Sequence, residues 1–148
     1  MKQAFASLAA LVLLATVAIA AEPAEITVYR TPTCGCCSKW AKHLEDHGFS
    51  VADHVVRDLS AMKTKNGITP ALASCHTAFV GGYVIEGHVP ADDIKRLVAE
   101  KPPLAGLDVP GMPVGPPGME MGARKDPFAV LSFDGAGQID AYRQYWSY

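Results

Sequence analysis

The chain has 148 residues, with 13 Lys and Arg against 15 Asp and Glu and a formal net charge of −2. No basic stripe or cationic block interrupts this balance, which excludes the electrostatic footprint of a nucleic-acid-binding protein. Only four cysteines occur; three crowd into Cys34-Gly35-Cys36-Cys37, and the fourth, Cys75, immediately precedes His76.

Residues 1–21 read as a signal peptide. Lys2 supplies the positive start, Leu8 to Ala20 an uncharged apolar run, and Ala18-Ile19-Ala20 the small-x-small cleavage pattern. That run falls short of the ~20 apolar residues a membrane helix needs, and no later run approaches it, so stable membrane insertion is not expected. Residues 22–148 then form one mature domain, long enough for a core of its own. Export places its cysteines in an oxidising, periplasmic compartment.

Glu25 to Arg30 alternates as a strand does, with Ile26 and Val28 on one face. Thr31-Pro32-Thr33 ends it, and Ser38 to His47 follows as a helix with Cys37, Trp40, Ala41 and Leu44 in one stripe, stopped by Gly48. Phe49 to Arg57 predicts a second strand. Asp58 caps a short helix, with Leu59 and Met62 spaced as core residues and Asn66-Gly67 as its end. Cys75 to Val80, Gly81-Gly82, and Tyr83 to Val89 predict a hairpin, because paired glycines suit a two-residue primed turn. Pro90 opens a third helix with Ile94, Leu97 and Val98 facing the core. Lys101 to Gly118 holds six of the eleven prolines and four glycines, which predicts neither helix nor strand. Phe128 to Asp134, Gly135-Ala136-Gly137, and Gln138 to Trp146 predict a closing hairpin, with Tyr142, Tyr145, Trp146 and Tyr148 packed on the core.

The fold class is therefore α/β. A β-α-β-α-β-β-α core in the order of the thioredoxin and glutaredoxin fold carries a Pro/Gly/Met-rich loop and a C-terminal β-hairpin. In that fold the first and fourth strands run one way and the third the other. Cys34, Cys75, His76 and His88 then meet at one edge of the sheet.

Three thiolates this close repel one another unless protonated, oxidised or neutralised by a cation. The amino end of a helix favours thiolate over thiol, which serves disulfide exchange and metal binding alike. The number of sulfurs separates the two, since a redox pair needs only two. Four thiolates with one or two imidazoles make a metal site, able to hold several ions through bridging sulfur. Copper(I) is the metal that thiolate suits best, and silver shares the preference. The candidate ligands are Cys34, Cys36, Cys37 and Cys75, joined by His76 and His88. Met112 and Met119 add thioethers from a loop that has little use for apolar filler, with Met121 a lesser third. His43, His47 and His54 read as surface or packing residues.

The chain resembles the CopG-type periplasmic copper-resistance proteins. The resemblance is carried by Thr31-Pro32-Thr33-Cys34-Gly35-Cys36-Cys37 with Trp40, by Cys75-His76-Thr77-Ala78, and by Gly82 through Ala91. Val109-Pro110-Gly111-Met112-Pro113 and Gly118-Met119-Glu120 complete it, so that it covers nearly all of the mature chain. It implies a thioredoxin-like fold and a cysteine-bridged, multi-copper site on Cys34, Cys36, Cys37 and Cys75. It also implies cycling between Cu(I) and Cu(II), a part in bacterial copper tolerance, and dealings with copper-efflux or copper-resistance proteins. A store or chaperone and a copper oxidoreductase would use the same ligands. The rival from another class is a thiol–disulfide oxidoreductase in which Cys34 attacks and Cys37 resolves, leaving Cys36 dispensable and Cys75 incidental. A structural zinc site suits the adjacent Cys36-Cys37 pair poorly, because such sites use spaced knuckles.

Overall fold

Two neighbouring rows of side chains divide a single seven-stranded sheet into an apolar face and a charged one. The computed structural model describes residues 23–146, so the expected signal peptide over residues 1–21 and Tyr148 lie outside the described residues. The strands are β1 (Glu25–Arg30), β2 (Ser50–Val55), β3 (His76–Val80), β4 (Tyr83–Gly87), β5 (Gly106–Val109), β6 (Phe128–Phe133) and β7 (Ile139–Tyr145), in the sheet order β2-β1-β3-β4-β5-β6-β7. The helices are α1 (Gly35–Asp46), α2 (Ser60–Lys65) and α3 (Ala91–Glu100). Strands β1 and β2 run parallel, as do β4 and β5, and the other neighbours are antiparallel. Among the described residues, no helix is long and apolar enough to cross a membrane.

The apolar row is Val28, Ala78, Ile85 and Leu107, paired in register across β1, β3, β4 and β5 and wholly buried. It packs with Trp40 and Leu44 of α1 and Ile94 and Leu97 of α3. Each of the valine, isoleucine and leucine side chains among these contributes roughly 1.5–3 kcal/mol by leaving water. The stripes expected on α1 and α3 are the ones the structure buries, with Val98 half-buried at the margin.

In the neighbouring register across the same strands, the row reads Tyr29, Thr77, Glu86 and Asp108. Glu86 is wholly buried yet well partnered. It is ion-paired with Lys63 of α2, and it accepts the Thr77 hydroxyl at 2.7 Å and the Ser74 amide at 2.7 Å. Asp108 is equally buried, and neither of its carboxylate oxygens has a hydrogen-bond partner. Burial first, and the Glu86 charge second, push its carboxyl up to about 8. The folded chain thus keeps a proton that the unfolded chain loses near pH 4, and stability falls as pH rises between those limits. Asp108→Asn is expected to flatten this slope. Denaturant unfolding at pH 5 and pH 8 should show a wild-type loss on the order of a few kcal/mol that the variant lacks. Equal slopes in both proteins would refute the assignment.

Three expectations are corrected here. The segment after α3 does contain a strand, because Leu104 to Val109 is a proline-free stretch between Pro103 and Pro110, and β4 satisfies its backbone in parallel register. Met62 is only half-buried, since α2 is a single short helix laid over the charged row, where Lys63 rather than Met62 reaches inward. Trp146 is 74% exposed beyond the end of β7, whereas Tyr142 and Tyr145 do pack against the core. Tyr145 stacks on Phe128 at 4.5 Å and donates its hydroxyl to buried Asp93 at 2.6 Å, which Arg143 also reaches at 3.2 Å. Those bonds fasten the closing hairpin to α3.

Candidate metal centre

Cys34 is the N-cap residue of α1, so Cys36 and Cys37 stand in its first turn, beside amide groups that no helical carbonyl can satisfy. Across from them, the residue before β3 is Cys75. The antiparallel pairing of β1 with β3, and of β3 with β4, brings Cys75, His76 and His88 to the end of β1, as the topology argument expected. The sulfurs of Cys34, Cys36, Cys37 and Cys75 all lie within 4.8 Å of one another. Cys75 Sγ, a His76 ring nitrogen and a His88 ring nitrogen form a second set on the same limit, so Cys75 belongs to both.

Within this group Cys34 and Cys37 are joined by a disulfide, while Cys36 and Cys75 are free thiols. Cys36 Sγ lies 3.4 Å from Cys34 Sγ and 3.9 Å from Cys75 Sγ. Burial first, and the neighbouring Cys36 second, push the Cys75 thiol up to about 12. Without a cation, Cys75 therefore keeps its proton, and a metal ion must displace it.

The imidazoles are prepared as acceptors. The Pro117 carbonyl can only accept, so the His88 Nδ1 at 2.7 Å carries the proton and Nε2 presents its lone pair to Cys75 Sγ at 3.1 Å. His76 Nδ1 stands 3.3 Å from the same sulfur, and its Nε2 is buried without a hydrogen bond of ordinary geometry. Burial pushes both imidazoles below their usual range, His76 well below, so both are neutral at physiological pH. The indole of Trp40 walls the site, 4.3 Å from the His76 ring, with its N–H donated to the Val89 carbonyl at 2.8 Å.

A strap formed by residues 110–119 closes over these groups. At one end the Ser74 hydroxyl donates to the Gly111 carbonyl at 2.7 Å, beside Met112; at the other, Pro117 holds His88, beside Met119. The Met112 side chain is 53% exposed, Met119 is half-buried, and Met121 is exposed in a small bridge to Arg124. Of the histidines set aside, His47 and His54 are exposed, and His43 is half-buried with Nε2 accepting the Ala91 amide. Sequence reasoning missed Ser74, Pro117 and Gly118 as parts of the site. The first acts through its hydroxyl and amide, the second through its main chain, and the third by having no side chain.

Gly118 sits at φ +85°, where a Cβ would lie 2.7 Å from the Cys36 carbonyl oxygen, 2.9 Å from the Trp40 backbone nitrogen and 3.2 Å from His88 Nδ1. Gly118→Ala is therefore expected to cost roughly 1–3 kcal/mol through backbone strain alone and to lift the strap from the cysteines. Thermal unfolding, paired with the rate of thiol alkylation at Cys36, checks this. Unchanged stability and unchanged alkylation would contradict it.

Four sulfurs and two neutral imidazoles at one edge of a mixed α/β sheet give this protein the ligand set of a soft-metal-binding protein. Two solved structures are similar over 84% of the chain. One is a copper resistance protein CopG (form 2), with 48% identity, 99% of that chain covered and a TM-score of 0.80; the other is form 1, with 49% identity, 98% coverage and a TM-score of 0.79. The chain belongs to the CopG copper-resistance protein family. Residues 72–119, which hold Cys75, His76, His88 and the strap, also match a family described as a protein of unknown function, DUF411. A search of curated proteins found no match.

Proposed function

We propose that this protein is an exported copper-binding protein of copper resistance, which takes copper(I) into a thiolate cluster on a thioredoxin-like core. The observation that carries the reading is the convergence of four sulfurs from two separate segments within 4.8 Å. Thiolates at that spacing bridge soft cations, and copper(I) is the first-row ion they suit best. Cys34, Cys36, Cys37 and Cys75 supply the thiolates, His76 and His88 the imidazoles, and Met112 and Met119 thioethers at the rim. Residues 1–21 direct export to the periplasm, and residues 22–148 are the copper-binding domain. The CopG neighbours, named for copper resistance, support copper over silver.

Neutral imidazoles beside thiolates make a ligand set that tolerates copper(II) as well as copper(I), which supports interconversion of the two. Delivery to copper-efflux or copper-resistance partners would use the half-buried sulfurs of Cys34, Cys36 and Cys75. A second reading, thiol–disulfide exchange at Cys34 and Cys37, is favoured by the disulfide between those two residues. It gives no role to Cys75 or to the two buried imidazoles.

The experiment is an anaerobic copper(I) titration of fully reduced protein, read as metal per chain beside a free-thiol count. More than one copper per chain is expected. Fewer than one, with reversible cycling of the Cys34–Cys37 bond, would leave thiol–disulfide exchange as the function.

A further inference from the structure

We infer that the Cys34–Cys37 disulfide locks the site against metal loading and that an external dithiol, attacking Cys34, is needed to open it. The inference rests on the copper reading above and adds the reaction that must precede loading. Electron counting within the site carries it. The bond removes two of the four sulfurs and leaves Cys36 and Cys75 as the free thiols. Cys36 lies 3.4 Å from Cys34 and can attack it, but that exchange only moves the disulfide to Cys34–Cys36 and releases Cys37. Pairing Cys36 with Cys75, 3.9 Å apart, would oxidise the site further. No rearrangement among the chain's own four cysteines restores four thiols. Two electrons and two protons have to come from outside, and a dithiol is the donor class that supplies both in one encounter.

The burial of the pair orients that encounter. Cys34 is half-buried at the helix cap, whereas Cys37 is wholly buried behind it. The donor thiolate attacks Cys34 Sγ, the Cys34–Cys37 bond breaks, and Cys37 leaves as a thiolate in the first turn of α1, where unpaired amides stabilise it. The donor's second thiolate then attacks its own sulfur in the mixed disulfide. Cys34 departs as a thiolate and the donor closes its own disulfide. The same two exchanges run in reverse when the partner arrives as its disulfide, which takes up the two electrons and two protons as the lock re-forms. Copper capacity is thereby tied to a reducing partner of the thioredoxin-like dithiol class.

The test uses wild-type protein isolated after export, oxidised in one portion and treated with dithiothreitol in another, each titrated anaerobically with copper(I) after removal of the reagent. Oxidised protein should show two free thiols per chain, with the disulfide mapped by peptide mass to Cys34 and Cys37, as in the structure. Its copper load should lie at least ~2-fold below that of the reduced portion, in step with the thiolates available to a soft cation. Equal, non-zero loads in the two portions would overturn the lock and leave the copper reading standing. A disulfide mapped to another pair would overturn it too. No copper bound by either portion would overturn the copper reading itself.

Discussion

Cys75→Ser is expected to lower copper(I) binding by reduced protein more than Cys34→Ser does. Cys75 is the one sulfur that does not come from the Cys34-Gly35-Cys36-Cys37 run, and it alone belongs both to the four-sulfur set and to the set with His76 and His88. It lies 3.9 Å from Cys36 Sγ, 3.1 Å from His88 Nε2 and 3.3 Å from His76 Nδ1. A serine hydroxyl is a hard, neutral donor in its place, unable to bridge soft cations. Loss of a partner merely behind a ligand costs ~10–100-fold in affinity, and loss of the sulfur shared by both sets should exceed that. Copper per chain should fall as well, because the two halves of the site no longer share an atom. Competition with a copper(I) chelator, run beside the stoichiometric titration, measures both. Wild-type stoichiometry and affinity in Cys75→Ser would remove the bridge from the mechanism and return weight to thiol–disulfide exchange.

Lys63→Met is expected to destabilise the fold by about 3–5 kcal/mol, the usual cost of stranding one member of a buried ion pair. Lys63 is the cation that faces wholly buried Glu86, and its ammonium also donates to the Thr77 hydroxyl at 3.1 Å. With Lys63 gone, the Glu86 charge keeps only the Thr77 hydroxyl and the Ser74 amide, beside the equally buried Asp108. Adding Glu86→Gln should recover much of the loss, since the pair is then replaced rather than broken. Denaturant unfolding of the wild type, the single variant and the double variant decides it, and a loss under about 1 kcal/mol would contradict the pairing. The effect reaches the cysteine cluster as well. Glu86 holds the amide of Ser74, the residue before Cys75, and Gly87 lets β4 approach that turn so closely that a Cβ there would lie 2.7 Å from the Ser74 side chain.

What could be read from the chain follows a physical division. Periodicity identified α1, whose buried stripe repeats at the helical spacing, and the paired glycines Gly81-Gly82 identified the β3–β4 hairpin; with strand direction, these placed Cys34, Cys75, His76 and His88 together. Glu86 and Asp108 were not singled out, although each interrupts an apolar run, at Val84-Ile85-Glu86 and Leu107-Asp108-Val109. A charge in such a run is the available signal for a buried polar row. The strand β5 was hidden by averaging over a window whose prolines lie at its ends. The Pro117 carbonyl that sets the His88 tautomer belongs to the backbone, and every residue type carries one. The Cys34–Cys37 spacing is that of a redox pair, so the thiol–disulfide reading had named the two sulfurs that the structure joins.

The position of Trp40 gives the site its own optical reporter. The chain has two tryptophans, and one of them lies against His76, 4.3 Å from its ring and fully shielded from solvent. The other, Trp146, is 74% exposed and remote in sequence, so Trp146→Phe would leave an emission spectrum that belongs to the site alone. Light absorbed by Trp40 is then quenched or released by events at the sulfur cluster and its imidazoles, and occupancy can be followed without a dye, a tag or a chelator.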